Sequence, residues 1–94
     1  MSAGARAIPS AHYDRSSDVL YVSVGQARDG DGVEQLKGVV LRYQFACNEP
    51  IGATVIGYKA NGWRLDNETL AAIIADHIRT PRQAVTNAIR AAAP

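Results

Sequence analysis

The two histidines are the side chains of this sequence that most readily act as general bases or metal ligands. His77 falls on the apolar stripe of a predicted helix, one turn after Ile73 and Ile74. A histidine in that position is more often a half-buried residue with one hydrogen bond than a general base, and we predict the structural role. His12 is far from His77 in sequence, and the two lack the short spacing typical of metal ligands. We therefore predict no metal site.

Cys47 is the single cysteine of the chain, so an internal disulfide is excluded. A nucleophilic cysteine needs a nearby cation or helix start that stabilises its thiolate, and the local sequence supplies neither. We predict that Cys47 is a small buried or half-buried hydrophobic residue.

Two acidic segments resemble functional motifs only in part. The run 29–32 (DGDG) is similar to the start of a calcium loop, but the position that needs a bidentate acid falls in the strand at Val40 and Leu41. We expect an ordinary turn there. Asp14 and Asp18 bracket the segment Arg15-Ser16-Ser17, a spacing that suits hydrogen bonds to turn amides better than acid–base catalysis.

The C-terminal stretch is mildly basic. From His77 onward the chain has the arginines Arg79, Arg82 and Arg90 and no acid. On the second predicted helix, Arg82, Thr86 and Arg90 share the face opposite the apolar stripe. This face is either simply solvated or contacts nucleic-acid phosphates or an acidic partner, and three charges make a small footprint for a phosphate-driven binder. No nucleotide-binding glycine loop and no nucleophile elbow is present, and we predict no cofactor.

Composition predicts one small globular domain. The 94 residues are 47% hydrophobic and 20% charged, with a net charge of +1, which favours neither nucleic acid nor an anionic membrane. We expect a single domain over 1–94, with 1–7 disordered, a sheet over 8–58 and a helical part over 66–92. The chain lacks a signal-peptide core and a membrane-spanning apolar run, so the expected location is the cytoplasm.

Period-two alternation predicts the strands that must position these residues. Ile8 to Tyr13 is a short candidate edge strand, and 19–24 (VLYVSV) is a strand with Leu20, Val22 and Val24 on one face. Val33 to Phe45 is predicted as one long strand, bent at Lys37-Gly38. Ile51 to Tyr58 is the last predicted strand. Short links between strands favour an antiparallel meander of three to four strands.

The period changes to 3.6 after the last strand. Asp66 or Asn67 caps a predicted helix with the stripe Leu70, Ile73, Ile74 and Ile78. A second helix is predicted to begin with Thr80 as N-cap, Pro81 in the first turn and Gln83 completing a capping box. Its stripe consists of Ala84, Val85, Ala88, Ile89 and Ala92. Strands followed by helices indicate an α+β fold with both helices packed on one face of the sheet.

The face of the sheet away from the helices is unusually apolar. If the alternation holds, it carries Val19, Tyr21, Val40, Ile56 and Tyr58. A solvated face is normally polar, and a contiguous apolar patch marks an interface. These five residues predict a homodimer packed through that face.

The segment 13–24 (YDRSSDVLYVSV) resembles the opening of a small bacterial family catalogued as domain of unknown function 2283. Gly38 to Tyr43 and Ile51 to Ile56 match the later strands of that family in pattern. The resemblance covers about 13–58, and the segment 45–50 (FACNEP) departs from the acidic, glycine-containing turn of the family. It implies the strand arrangement and leaves the function open, although some members lie next to toxin-like proteins.

We predict structural roles for the residues of this opening motif. Tyr13 and Tyr21 are expected to flank the hairpin, Asp14 and Asp18 to fix its turn, and Leu20 to fill the core.

Three functions are compatible with these features. The first is a non-enzymatic interaction module, a homodimer that engages a protein partner. The second is a nucleic-acid-associated or antitoxin-like regulator that uses the arginines of the last helix. The third is a small-molecule binder with His77, Tyr43 or Cys47 in its pocket.

Overall fold

Five strands and two helices form the part of the chain that the structure describes. This computed structural model describes residues 8–25, 30–44 and 49–93. The predictions for 1–7 and for Cys47 lie outside these residues, as does Asp29 of the predicted turn over 29–32; the other three residues of that turn belong to a strand instead. The elements are β1 (Pro9–Asp14), β2 (Val19–Val24), β3 (Gly30–Leu36), β4 (Val39–Gln44), β5 (Pro50–Ile56), a short 3-10 turn (Trp63–Asp66), α1 (Asn67–Ile78) and α2 (Arg82–Ala92).

The strands form one antiparallel sheet in the order β1-β2-β5-β4-β3. The α+β class with two C-terminal helices is confirmed. The prediction of a three- to four-stranded meander is wrong in two respects, because there are five strands and because β5 lies in the middle, between β2 and β4. Sequential neighbours pair at β1–β2, β3–β4 and β4–β5, whereas β2 and β3 stand apart in the sheet.

The predicted long strand over 33–45 is two strands joined by a tight turn. Lys37 and Gly38 have φ angles of +47° and +82°, the left-handed conformations that a two-residue hairpin turn requires. Leu36 therefore pairs with Val39, and the chain reverses where a bend was expected. A shift in register between Glu34 and Leu36 adds a bulge beside this turn.

The inner face of the sheet, which the helices cover, carries the core. Alternation places Leu20 and Val22 of β2 there, and both are buried as predicted. Across the sheet they are joined by Val39, Leu41, Ala53 and Val55. From the helices and the preceding turn come Leu70, Ile74, Ile78, Val85, Ile89, Tyr58 and Trp63.

The two helices form a second layer, with α1 packed over β5, α2 over β1, and each helix against the other. The predicted stripe of α1 is buried at Leu70, Ile74 and Ile78, and Ile73 is half-buried. In α2, Val85 and Ile89 are fully buried. Among the described residues, neither α1 nor α2 has the length and apolar content of a membrane-spanning helix.

The predicted capping box of α2 is absent. Pro81, with φ −56° and ψ 137°, occupies the N-cap position, and no side chain caps the helix. The hydroxyl of Thr80 instead donates a hydrogen bond to the carbonyl of Ile78, at 3.2 Å. Arg79 ends α1 in the left-handed conformation (φ +55°), so Thr80 completes the link between the helices.

Candidate functional site

The outer face of the sheet, opposite the helices, is the surface that the sequence singled out as an interface. The strand register places five residues in one row across it: His12 of β1, Tyr21 of β2, Thr54 of β5, Val40 of β4 and Glu34 of β3. Val19 pairs with Ile56 in the next row. Side chains of directly opposed residues lie on the same face of an antiparallel pair, so these residues share one surface.

The apolar patch of this face consists of Val19, Tyr21, Val40 and Ile56. Tyr21 is 43% exposed and Ile56 53% exposed, while Val19 and Val40 are half-buried. The half-buried Thr54 connects the two sides of the patch, because it pairs with Tyr21 on one strand and Val40 on the other. Large apolar side chains therefore lie side by side on three neighbouring strands without helix cover.

Tyr58 does not belong to this face, and its prediction is wrong. Strand β5 ends at Ile56, and Gly57 has a φ of +72°, which breaks the alternation that the prediction extended to Tyr58. The Tyr58 side chain is fully buried, and its hydroxyl donates a hydrogen bond to Oδ1 of Asn67, at 2.7 Å. Burial raises the pKa of Tyr58, partly offset by this hydrogen bond.

Polar side chains border the patch. The ring of His12 stacks on that of Tyr21 at 6.2 Å between centroids, with the planes 20° apart. At the opposite end of the row, Oε2 of Glu34 accepts a long hydrogen bond of 3.3 Å from the N–H of Gly38. Arg42 lies on β4 in the neighbouring row, opposite Gly52 of β5. The face thus has an apolar centre and a polar rim, which is the anatomy of many interfaces.

The aspartates of the first hairpin have structural partners. Asp18 accepts hydrogen bonds from the Tyr13 hydroxyl at 2.7 Å, from the Lys59 N–H at 2.9 Å and from the Ala60 N–H at 3.0 Å. Its backbone carbonyl accepts two more, from Gly57 and Tyr58. Asp18 therefore joins the β1–β2 turn to the segment after β5, with its carboxylate reaching 41 and 42 residues along the chain.

Asp14 has a more local role than Asp18. It accepts hydrogen bonds from the backbone N–H and the hydroxyl of Ser16, at 3.1 and 2.8 Å. Tyr13 and Tyr21 lie on opposite faces of the sheet, since Tyr13 pairs with Leu20. Tyr13 makes an edge-to-face contact with Tyr58 on the inner face, at 5.4 Å between ring centroids.

These hydrogen bonds shift the pKa values of the groups involved. The Lys59 N–H, the Tyr13 hydroxyl and the Ala60 N–H hold the pKa of Asp18 below its ordinary value. The side chains of Ser16 and Ser17 lower the pKa of Asp14. The hydrogen bond to Asp18 raises the pKa of Tyr13, and partial burial adds to that shift.

Acid should destabilise the fold through Asp18. The pKa of Asp18 is lower in the folded protein than in the unfolded chain, so its stabilisation is complete at a pH above the unfolded-state pKa. That stabilisation is lost as the pH falls through the folded-state pKa. We therefore expect the free energy of unfolding to begin to fall below about pH 4. Asp18→Asn tolerates the φ of +57° but carries no carboxylate. Its free energy of unfolding, measured by urea denaturation from pH 7 to pH 2.5, should fall less steeply than that of the unmodified protein. Equal slopes for the two proteins would contradict the role of Asp18.

His77 occupies the half-buried structural position that the sequence predicted. Its Nε2 lies 3.0 Å from the carbonyl oxygen of Arg42, so this nitrogen carries the proton and donates the bond. The imidazole also meets the ring of Tyr43 edge-on, at 4.8 Å between centroids. This pair ties α1 to β4. A binding pocket lined by His77, Tyr43 or Cys47 stays a prediction, and Cys47 lies outside the described residues.

The C-terminal arginines line open grooves beside the helices. Arg82 and Arg90 border a groove of about 600 Å³ together with Glu68, Gln83 and Thr86. Arg79 and Arg82 border a neighbouring groove that also contains Asp76. Thr86 is buried, contrary to its predicted exposure, and its hydroxyl donates a hydrogen bond to the carbonyl of Arg82 one turn earlier. Within residues 8–25, 30–44 and 49–93, no cluster of three metal-ligating side chains is found.

Sequence reasoning missed several residues that shape the site. Thr54, His12 and Glu34 complete the row on the outer face, and only the strand order reveals it. Trp63 and Asn61 fix the turn that ends the patch: both donate hydrogen bonds to the carbonyl of Lys37, at 3.0 and 3.2 Å. The segment 58–63 (YKANGW) combines turn-forming residues with two large aromatic residues, and this was the available signal.

A scan against protein-family models, a search of curated proteins and a search of solved structures each found no match. The resemblance of residues 13–24 to domain of unknown function 2283 therefore stays a prediction.

Proposed function

We propose that this protein is a non-enzymatic interaction module that forms a homodimer through the outer face of its sheet and engages a protein partner. The observation that carries the proposal is the apolar patch, in which Tyr21 and Ile56 are 43% and 53% exposed beside Val19 and Val40. A contiguous apolar surface costs free energy in water, and a second copy with the same patch removes it from water on both sides.

The roles of the reactive side chains also support this proposal. His77 is bound to the Arg42 carbonyl, and Asp18 accepts three hydrogen bonds that hold the fold together. These contacts give both side chains roles in holding the fold together. A small domain also gains from dimerisation, because its own core is thin for its surface.

The patch is tested by introducing a charge at its most exposed residue, Ile56. Ile56→Glu should raise the dimer dissociation constant by at least about tenfold, because a carboxylate is then buried against apolar side chains. Size-exclusion chromatography with light scattering over a range of protein concentrations measures this change.

Leu65→Glu is the matched control, since Leu65 is 93% exposed in the 3-10 turn, outside the sheet. It adds the same charge at an exposed apolar position, so the dissociation constant should stay close to that of the unmodified protein. Equal weakening by both variants, or by neither, would contradict an interface at the patch.

The exposed side of α2 is the surface that we assign to the protein partner. Dimerisation through the outer face leaves the helices on the outside of the assembly, where Arg82, Gln83 and Arg90 are exposed. Affinity purification of the tagged protein from native lysate, with and without nuclease, tests this assignment. A stoichiometric protein that remains after nuclease treatment and is lost in Arg82→Ala/Arg90→Ala supports it, and capture of nucleic acid alone counts against it.

A nucleic-acid-associated regulator is the second candidate. This candidate is supported by the groove that Arg82 and Arg90 border, about two helical turns apart on α2. Glu68 borders the same groove and reduces its positive charge. Binding of this kind depends on phosphate contacts and is weakened by salt. A gel shift at about 50 mM salt that disappears at higher salt would favour it, and an absent or salt-independent shift would exclude it.

A further inference from the structure

The strand order makes the outer face self-complementary for one particular arrangement of two copies. Five strands are present in the described sheet, and β5 is the middle one, with β2 and β4 on its two sides and β1 and β3 at the edges. A two-fold axis parallel to β5 and lying between two stacked sheets would exchange the two sides. It would place β1 against β3 of the second copy, β2 against β4, and β5 against β5.

Matching the central row under this axis pairs unlike residues. His12 comes opposite Glu34 of the second copy, Tyr21 comes opposite Val40, and Thr54 meets its own counterpart on the axis. Stacked sheets lie about 10 Å apart with their strands within about 30° of each other, so long side chains at the ends of the row can still meet. Each copy contributes both members of the polar pair, and the dimer therefore has two such pairs.

The alternative two-fold axis, along the row and perpendicular to the strands, pairs like with like. Glu34 then meets Glu34 of the second copy, and His12 meets His12. Opposed carboxylates are destabilising at an interface, whereas an imidazole N–H can donate a hydrogen bond to a carboxylate. Charge complementarity thus distinguishes the two arrangements.

We propose that the dimer has its two-fold axis parallel to β5, with a hydrogen-bonded pair between His12 of one copy and Glu34 of the other at each edge of the interface. This inference rests on the proposed homodimer and specifies its geometry. The apolar centre supplies the burial, and the two polar pairs fix the orientation of one sheet on the other.

A charge exchange tests this pairing. His12→Glu puts two carboxylates opposite each other and should raise the dimer dissociation constant at least about tenfold. His12→Glu/Glu34→Lys restores an opposite-charge pair, so the dissociation constant should return to within about threefold of the unmodified value. Sedimentation equilibrium measures the dissociation constants, and circular dichroism confirms that each variant is folded.

The double variant His12→Glu/Glu68→Lys is the matched control. It has the same net charge as the rescuing pair, but Glu68 is an exposed residue of α1, in the helical layer that covers the other face. It should stay as weak as His12→Glu alone. Equal recovery in both double variants would mean that net charge rather than pairing is responsible, and this would overturn the proposed axis.

The failure of this inference can be separated from the failure of the proposed function. If Ile56→Glu weakens the dimer but Glu34→Lys does not rescue the His12→Glu variant, the outer-face interface stands and the proposed axis is overturned. A protein that is monomeric before any substitution would overturn both.

Discussion

Gly38→Ala is expected to lower the free energy of unfolding by about 3–5 kcal/mol. Two causes combine. The φ of +82° is a left-handed conformation that alanine adopts with strain, and an added Cβ would lie 2.1 Å from the carbonyl oxygen of Ile56. That backbone cannot move freely, because the N–H of Ile56 donates to the carbonyl of Gly38, at 2.9 Å.

Gly62→Ala separates these two causes. Gly62 has nearly the same φ, +83°, but an added Cβ there meets nothing within 4 Å. It should cost about 1–2 kcal/mol from conformational strain alone. Urea denaturation at one fixed protein concentration measures both variants, since dimerisation makes apparent stability concentration-dependent. Similar losses in the two variants would contradict the close approach of Gly38 to β5.

Asp18→Ala is expected to lower the midpoint of thermal unfolding by on the order of 10 °C or more. The substitution removes the acceptor for Tyr13, Lys59 and Ala60 together, and two of these are backbone N–H groups after β5. Alanine at a φ of +57° adds strain that aspartate tolerates better. The measurement is circular dichroism during heating.

Two controls define the role of Asp18. Asp14→Ala removes only bonds to Ser16 and Ser17 within one exposed turn and should lower the midpoint by no more than a few degrees. Tyr13→Phe removes one of the three bonds to the Asp18 carboxylate and should have an intermediate effect. If Asp18→Ala were as mild as Asp14→Ala, the long-range connection would have no energetic importance.

Burial along a single strand or helix was the part of the fold that the sequence could predict. Alternation in β2 identified Leu20 and Val22 as core residues, and the 3.6 period identified Leu70, Ile74 and Ile78. These predictions succeeded because each depends on burial along one element. The prediction that Thr80 caps the second helix was wrong. The chain reverses after α1, and this brings the carbonyl of Ile78 within reach of the Thr80 hydroxyl, which donates its hydrogen bond there instead.

Predictions about how two strands lie relative to each other were less successful. Lys37 gave no sign of a positive φ, so the β3–β4 turn was interpreted as a bend and β5 could not be placed between β2 and β4. The wrong prediction for Tyr58 has a similar cause. The positive φ of Gly57 ends the strand alternation after Ile56, and the sequence pattern contained no sign of it. The patch residues Val19, Tyr21, Val40 and Ile56 lie on the predicted face, but the row that joins His12 to Glu34 depends on strand order and register, which hydrophobic alternation does not determine.

The outer-face homodimer is tested most directly by the molar mass of the unmodified protein at sedimentation equilibrium, measured over a wide range of concentrations. The proposal predicts a mass that rises with concentration to twice the 10.0 kDa of the chain and no further, because a two-fold interface closes on itself. Ile56→Glu should shift that rise to higher concentration, whereas Leu65→Glu should not. A mass that stays at 10.0 kDa at the highest concentration would contradict the proposed function and the two-fold arrangement derived from it.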